Sequence, residues 1–175
     1  MSNIYITNED LEILKKALPS LDEDIIYATY ALIAHKAKII YRWDSPIIIT
    51  NKRIIFYQPA HSNLKAGINQ VPLYKTHVFN NYKHIYISVF DFWPKYKENS
   101  GESKSNFKSR WKQFQKIILP YIINNQEEHL EVIKANKDNK EFYNKKDLKQ
   151  MPWFGTEKAL EKNIRKLLPN LEKKL

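Results

Sequence analysis

Five histidines are the side chains best suited to metal or acid–base chemistry in this 175-residue chain: His35, His61, His77, His84 and His129. No two of them have His-x-His, His-x-x-His or His-Glu-x-x-His spacing, so a metal site would have to be assembled from distant segments. The absence of Cys excludes disulfides, thiolate zinc sites, iron–sulfur clusters and Cys nucleophiles. Only three glycines are present, which excludes the glycine-rich phosphate loops of P-loop and Rossmann proteins. We therefore expect no cofactor and no metal.

Catalytic patterns are equally sparse. A metal-dependent nuclease needs clustered carboxylates, and the basic middle of the chain has only Asp44, Asp91, Glu98 and Glu102. No Gly-x-Ser-x-Gly nucleophile elbow is present. A metal-independent ribonuclease is the remaining enzymatic alternative; it would use Arg53 and the run Tyr82-Lys83-His84. The composition allows this chemistry without indicating it, and we expect a protein that is not an enzyme.

Charge is the strongest global feature. The chain carries 29 Lys and Arg against 19 Asp and Glu, for a net charge of +10. The excess lies in residues 31–126, whereas residues 1–30 are acidic. A basic surface attracts nucleic acid, anionic lipid or an acidic protein, and charge alone does not choose among them.

Aromatic side chains alternate with basic ones in two places. The first is the segment Trp93-Pro94-Lys95-Tyr96-Lys97, and the second is the stretch from Phe107 to Phe114. Single-stranded nucleic acid is bound by such stacking and phosphate contacts. In the second stretch, however, the helical spacing favours rings that face a core while the lysines face solvent.

Three zones position these residues. Thr7 is predicted to cap a helix that carries Leu11, Leu14 and Leu18 on one face and ends before Pro19. Residues 22–92 are predicted to form mainly strands: a period-two strand over 36–43, a hairpin with Asn51-Lys52 at its turn, and further strands over 71–79 and 84–92. In the first of these, Lys36, Lys38 and Arg42 share one face.

The last zone is helical. We predict a helix over 106–124 in which Pro120 causes a kink or an end, and a second helix over 127–135. A charged linker follows, and then a helix over 157–168 that ends at Pro169. The cluster Met151-Pro152-Trp153-Phe154-Gly155 precedes this last helix, and either docks it onto the strands or forms an exposed partner-binding element.

The order of these elements resembles the bacterial pleckstrin-homology (PH)-like domains. The carrying residues are Thr50 and Arg53 in a Thr-x-x-Arg turn, Phe56 and Tyr57 after it, and Val71-Pro72-Leu73 at the next strand start. The resemblance covers about residues 22–124. It implies an α+β fold: a partly open antiparallel β-barrel or sandwich capped by the helix over 106–124, with additional helices over 1–21 and 125–175.

The resemblance also implies a binding module. PH-like domains bind peptides, often beside the C-terminal helix, and some relatives bind phosphoinositides through basic residues of the first strands. Bacterial members share no common ligand, and the full basic motif is absent here. We expect a protein partner, with nucleic acid or an anionic membrane as the alternative. The candidate ligand contacts are Lys36, Lys38, Arg42, Arg53, Trp93, Lys95, Tyr96 and Lys97, with Trp153 and Phe154 for a protein partner.

Location is inferred from two absences. The chain start lacks a basic stretch followed by an apolar one. The longest apolar run, residues 25–34, is about half of the ~20 residues that span a bilayer. We therefore expect a cytoplasmic bacterial or phage protein, and the oligomeric state stays open.

Overall fold

The protein has an α+β fold in which helices pack on both faces of an antiparallel sheet. The computed structural model describes residues 3–18, 23–35, 41–62, 65–77, 85–87, 90–95, 103–135 and 157–174. In chain order, the elements are α1 (Asn8–Lys15), β1 (Ile25–His35), β2 (Tyr41–Thr50), β3 (Arg53–Gln58), β4 (Gly67–Pro72), a 3-10 turn (Leu73–Lys75), β5 (Thr76–His77), β6 (Ile85–Ile87), β7 (Phe90–Pro94), α2 (Lys104–Ala135) and α3 (Glu157–Lys174).

The sheet consists of two meanders joined through the first and last strands. The strand order is β4-β3-β2-β1-β7-β6-β5, and every neighbouring pair is antiparallel. The edges are therefore β4 and β5, which lie far apart in the strand order. In the chain, only the 3-10 turn separates them.

The sheet curls around its core. Phe56 on β3 contacts Phe90 and Phe92 on β7, with ring centroids 5.0 and 5.2 Å apart. In a flat sheet these strands would lie three spacings, about 14 Å, apart. The contacts thus require a strongly bent sheet, in agreement with the predicted partly open barrel or sandwich.

Alternation along the strands separates the two faces of the sheet. Tyr27, Ile47 and Phe56 point into the main core, which α2 covers with an apolar stripe: Phe114, Ile118, Leu119, Ile122 and Ile123. Ala28, Ile48 and Ile55 point to the outer face, which α1 covers with Leu11 and Leu14. Thr7 caps α1 by accepting a hydrogen bond from the Asp10 amide, as predicted.

Both prolines expected to break helices lie inside them. Pro120 is within the single helix α2, so no helix end lies there, and the predicted kink stays a prediction. Pro169 is within α3, so the predicted end of that helix at Pro169 is wrong. An internal proline costs about 3 kcal/mol, and burial of Ile118, Leu119 and Ile122 on either side of Pro120 outweighs that cost. The expected division at 124/125 falls inside α2.

The last helix packs back onto the rest of the chain. Leu160 and Ile164 of α3 form a cluster with Leu130 and Ile133 of α2, and Leu167 reaches the main core. None of the helices in the described ranges is long and apolar enough to cross a membrane.

Several predicted strands have different bounds. The predicted strand over 84–92 corresponds to two strands, β6 and β7. β7 continues past residue 92 and includes Trp93, which pairs with Leu32 of β1. The segment over 71–79 begins as the end of β4 and turns through the 3-10 turn into β5. The Asn51-Lys52 hairpin turn is confirmed.

Candidate functional site

The Thr-x-x-Arg turn is a hydrogen-bonded unit centred on Thr50. The Thr50 hydroxyl accepts hydrogen bonds from the Lys52 and Arg53 amides at 3.1 and 3.0 Å, which closes the turn. It also donates to Glu23 Oε1 at 2.9 Å. The side chain thus joins the β2–β3 turn to the chain just before β1.

Arg53 continues this unit toward β4. Its Nε lies 2.7 Å from Glu23 Oε1, and its Nη1 donates to Gln70 Oε1 at 2.8 Å. The Glu23 side chain is only 1% exposed, against 29% for Arg53. Because Glu23 is buried, the fold depends on this ion pair: without the arginine, the carboxylate would remain buried and unpaired by a cation.

A cleft of about 300 Å³ opens beside this unit. Its lining comes from the β2–β3 turn, from β4 and the 3-10 turn, and from α2: Lys52, Arg53, Gln70, Pro72, Tyr74, Asn125 and Glu128. These groups include hydrogen-bond donors, acceptors and both signs of charge. Such a lining suits a mixed polar ligand more than a bare polyanion.

Contacts within the protein hold the cleft walls. Asn125 Nδ2 donates to the Asn51 carbonyl at 2.7 Å, which ties α2 to the hairpin turn. Tyr74 stacks on His129, with ring centroids 4.0 Å apart and planes 14° from parallel. These contacts fix the positions of α2 and the 3-10 turn on either side of the cleft.

The Tyr74–His129 stack has a cation beside it. Lys75 Nζ lies 5.8 Å from the centre of the Tyr74 ring. Burial lowers the pKa of His129, and the Lys75 ammonium lowers it further. Burial also lowers the pKa of Lys75 and raises that of the Tyr74 hydroxyl. His129 thus favours its neutral form more than a solvated histidine does.

The nearby β5 edge is closed by side-chain amides. The Thr76 carbonyl accepts from Gln126 Nε2 at 2.7 Å and from Asn163 Nδ2 at 2.9 Å. Asn163 also donates to Gln126 Oε1 at 2.9 Å, and both side chains are buried. The two helices thereby occupy a position where a further strand would pair.

Four of the predicted contact residues lie in the described part of the chain, and three of them lie near Asp44 of β2. Arg42 is two residues before Asp44, and Trp93 pairs with Leu32, which itself pairs with Asp44. Arg53 pairs with Glu23, and Lys95 forms an ion pair with Asp44. Arg42 is exposed on β2, and Trp93 lies in β7, half-buried. The remaining predicted contacts lie outside the described residues: Lys36, Lys38, Tyr96, Lys97, Trp153 and Phe154.

Two cationic features of α2 add to this picture. Lys104, Lys108, Lys112 and Lys116 are exposed at four-residue intervals and form a basic stripe along the helix. Arg110, by contrast, is buried: Nη1 donates to Thr29 Oγ1 at 3.1 Å, and the guanidinium lies 4.3 Å from the Tyr5 ring centre. The sequence pattern predicts Arg110 to lie off the apolar stripe with the lysines, and this is wrong. Arg110 follows Phe107 by three residues and precedes Phe114 by four, spacings that share one helix face.

The sequence raised two kinds of enzymatic group, metal ligands and the ribonuclease candidates. No group of three or more metal-ligating side chains occurs among the described residues. Of the ribonuclease candidates, Arg53 is held by Glu23, while Tyr82, Lys83 and His84 lie outside the described residues. Neither a family model nor a curated protein matches the chain.

Proposed function

We propose that this protein is a non-catalytic PH-like interaction module that binds a protein partner in the cleft beside α2. The observation that carries the proposal is the cleft itself, lined by Lys52, Arg53, Gln70, Tyr74 and Glu128. A protein segment offers carboxylates, amides and main-chain groups that match such a mixed lining. The cleft also lies beside the helix that the PH-like resemblance assigns to peptide binding.

Charge supports a protein partner over a polyanion at this site. Arg53 is already neutralised by Glu23, and Glu128 adds an acid to the cleft wall. A phosphate chain would meet that carboxylate at an energetic cost. A protein segment can place an acid near Lys52 and a donor near Glu128.

Affinity capture tests the proposal. The tagged chain is used to capture ligands from a native host lysate near physiological salt, with and without nuclease, beside Lys52→Glu and an exposed control, Lys158→Glu. We expect one stoichiometric protein that survives nuclease, is retained by Lys158→Glu and is reduced by Lys52→Glu. A captured protein that is unaffected by Lys52→Glu would place the site elsewhere.

The basic stripe of α2 favours one second candidate, the binding of single-stranded nucleic acid. Its lysines could contact successive phosphates, and such binding falls linearly with the logarithm of salt concentration. The test is titration of a single-stranded oligonucleotide against the wild type and Lys108→Glu/Lys112→Glu, with Arg42→Glu as a variant of the predicted strand face. Binding that is unchanged by the α2 pair would remove the stripe from consideration.

A further inference from the structure

The outer edge of β4 is open within the described part of the chain. In the strand order β4 is terminal, and it pairs only with β3. The β5 edge at the other end is closed by Gln126 and Asn163. No comparable amide reaches the β4 main chain among the described residues.

The register identifies which β4 groups point outward. The amides of Arg53 and Tyr57 point toward β2, because they donate to Thr50 Oγ1 and Ser45 Oγ. Because main-chain groups alternate in direction along a strand, the amides of Ile54, Phe56 and Gln58 face β4. By the register these residues pair with Val71, Asn69 and Gly67, respectively. Ile68 and Gln70 are left with both N–H and C=O outward, and Pro72 with its C=O only.

This edge has no charged residue as protection against pairing, and its one protective residue is Pro72 at the end of the strand. Edge strands commonly carry lysine or another charge in the strand itself, whereas Gly67–Pro72 reads GINQVP and has no charge. Charge is found instead at the two ends. Lys65 is exposed two residues before β4, and exposed Lys52 lies beside the far end, where its carbonyl accepts from the Leu73 amide at 2.8 Å.

The flanking lysines select among possible occupants. If two copies paired antiparallel through β4, Lys65 of each would approach the end where Lys52 of the other lies. Like charges placed across a strand pair are destabilising, and each chain already carries +10. A segment of a different protein with acidic residues at its flanks would meet the same lysines favourably.

The edge and the cleft are continuous. Gln70 and Pro72, whose main-chain groups point outward from β4, also line the cleft with Lys52. A strand laid along the edge would therefore run directly into the cleft at its Pro72 end.

We propose that the partner segment binds as an additional antiparallel strand on β4, with an uncharged core of a few residues, acidic flanks and one end in the cleft. This deepens the proposed function and rests on it. Main-chain hydrogen bonds to Ile68 and Gln70 supply affinity, and the flanking lysines supply orientation and selectivity.

A peptide selection tests the binding mode. A library of random linear peptides of about 12 residues, long enough for a strand and both flanks, is displayed on phage and selected against the full chain. The best peptide is then synthesised with N-methyl groups on either alternate set of its amides. We expect one set to weaken binding about tenfold or more and the other set less than about threefold, because only one set faces β4.

Protein variants provide the matching evidence. Gln70→Pro removes the outward N–H, whereas Gln70→Ala keeps it and loses only the side chain, so the proline variant should bind the peptide more weakly than the alanine variant. Lys52→Glu and Lys65→Glu should each weaken binding of an acid-flanked peptide about threefold, and more at low salt.

Each alternative gives a different result. Equal effects of the two N-methyl sets, with binding still sensitive to Lys52→Glu, would overturn strand addition and leave the cleft proposal standing. Failure of the library to yield any binder would count against both. A concentration-dependent dimer that Gln70→Pro dissociates in sedimentation would assign the edge to a second copy.

Discussion

The two edges of the sheet differ in whether side chains cover their outer main-chain groups. At β5, buried amides of α2 and α3 satisfy the Thr76 carbonyl. At β4, an ion pair and a side-chain network stiffen the strand end while the outer main chain stays open among the described residues. Unpaired edges invite strand addition. Among the described residues, the side chains of α2 and α3 thus cover the β5 edge, and the β4 edge is the one available to the proposed strand.

The largest effect is expected where the β4 end is stiffened. Arg53→Ala would leave the Glu23 carboxylate buried, with the Thr50 hydroxyl as its remaining hydrogen-bond donor among the described residues. We expect a loss of about 3 kcal/mol in the free energy of unfolding, measured by urea denaturation. Lys15→Ala, which breaks the exposed pair with Glu12, is the control and should cost about 0.5 kcal/mol or less. Equal losses in the two variants would mean that the buried pair does not stabilise this edge.

A somewhat smaller loss is expected at the closed edge. Gln126→Ala removes one donor to the Thr76 carbonyl and the acceptor for Asn163. It should cost about 2 kcal/mol, since a buried polar group is left unsatisfied. Asn163→Ala should couple with it non-additively in a double-mutant cycle. Asn124→Ala, which affects only an exposed bond to Glu128, is the matched control. Additive losses would show that the two amides act separately.

The helix and strands near these edges could be predicted from the sequence, but the distant side chains that contact each edge could not. Runs of β-branched and aromatic residues on either side of Asn51-Lys52 predict the hairpin, and the Thr7 cap predicts α1. These signals lie within a few residues of each other. The partners that decide each edge are distant: Glu23 lies 30 residues from Arg53, and Asn163 lies 87 residues from Thr76.

The same reasoning applies to the candidate site. That Arg53 contacts a ligand stays a prediction, but its ion pair with Glu23 could not be predicted, because Glu23 lies in an acidic stretch with no pattern that indicates burial. Arg110 looked like one more surface cation, although Thr29 and Tyr5 surround it in the fold. A proline in a helical segment predicts a kink or an end there, but packing of α2 against the sheet keeps the helix continuous through Pro120.

The free energy of unfolding should depend on pH through the 3-10 turn (Leu73–Lys75), which connects the two edge strands β4 and β5. His129 stacks on Tyr74 of the 3-10 turn, and burial together with Lys75 lowers its pKa. Below a pH of about 6.5, the unfolded chain takes up a proton at this position before the folded chain does. Stability should therefore fall as the pH drops from about 6.5 toward the lowered pKa of folded His129. Burial lowers the pKa of His35 too, so His35 contributes with the same sign.

The variant His129→Gln separates the contribution of His129 to this pH dependence from that of His35. Urea denaturation at a series of pH values from neutral to mildly acidic should give a shallower loss of stability than in the wild type, and His35→Gln serves as the comparison. Identical slopes for wild type and His129→Gln would mean that the ring takes up its proton equally well in the folded and unfolded chains.

The smallest change in stability is expected on the open side of β4, and it is the most direct test of the register. Gln70→Pro should be only about 1 kcal/mol less stable than Gln70→Ala, since the amide that proline removes points away from β3. Asn69→Pro, one residue earlier, removes an amide that faces β3 and should cost about 3 kcal/mol relative to Asn69→Ala. Thermal and urea denaturation of the four variants measure both differences.

If the two prolines lower the free energy of unfolding equally, the outward assignment of Gln70 would be wrong, and β4 would offer a partner strand a different set of main-chain groups. If Gln70→Pro costs more, its amide has a partner in the folded protein, and this edge would be as closed as the edge at β5.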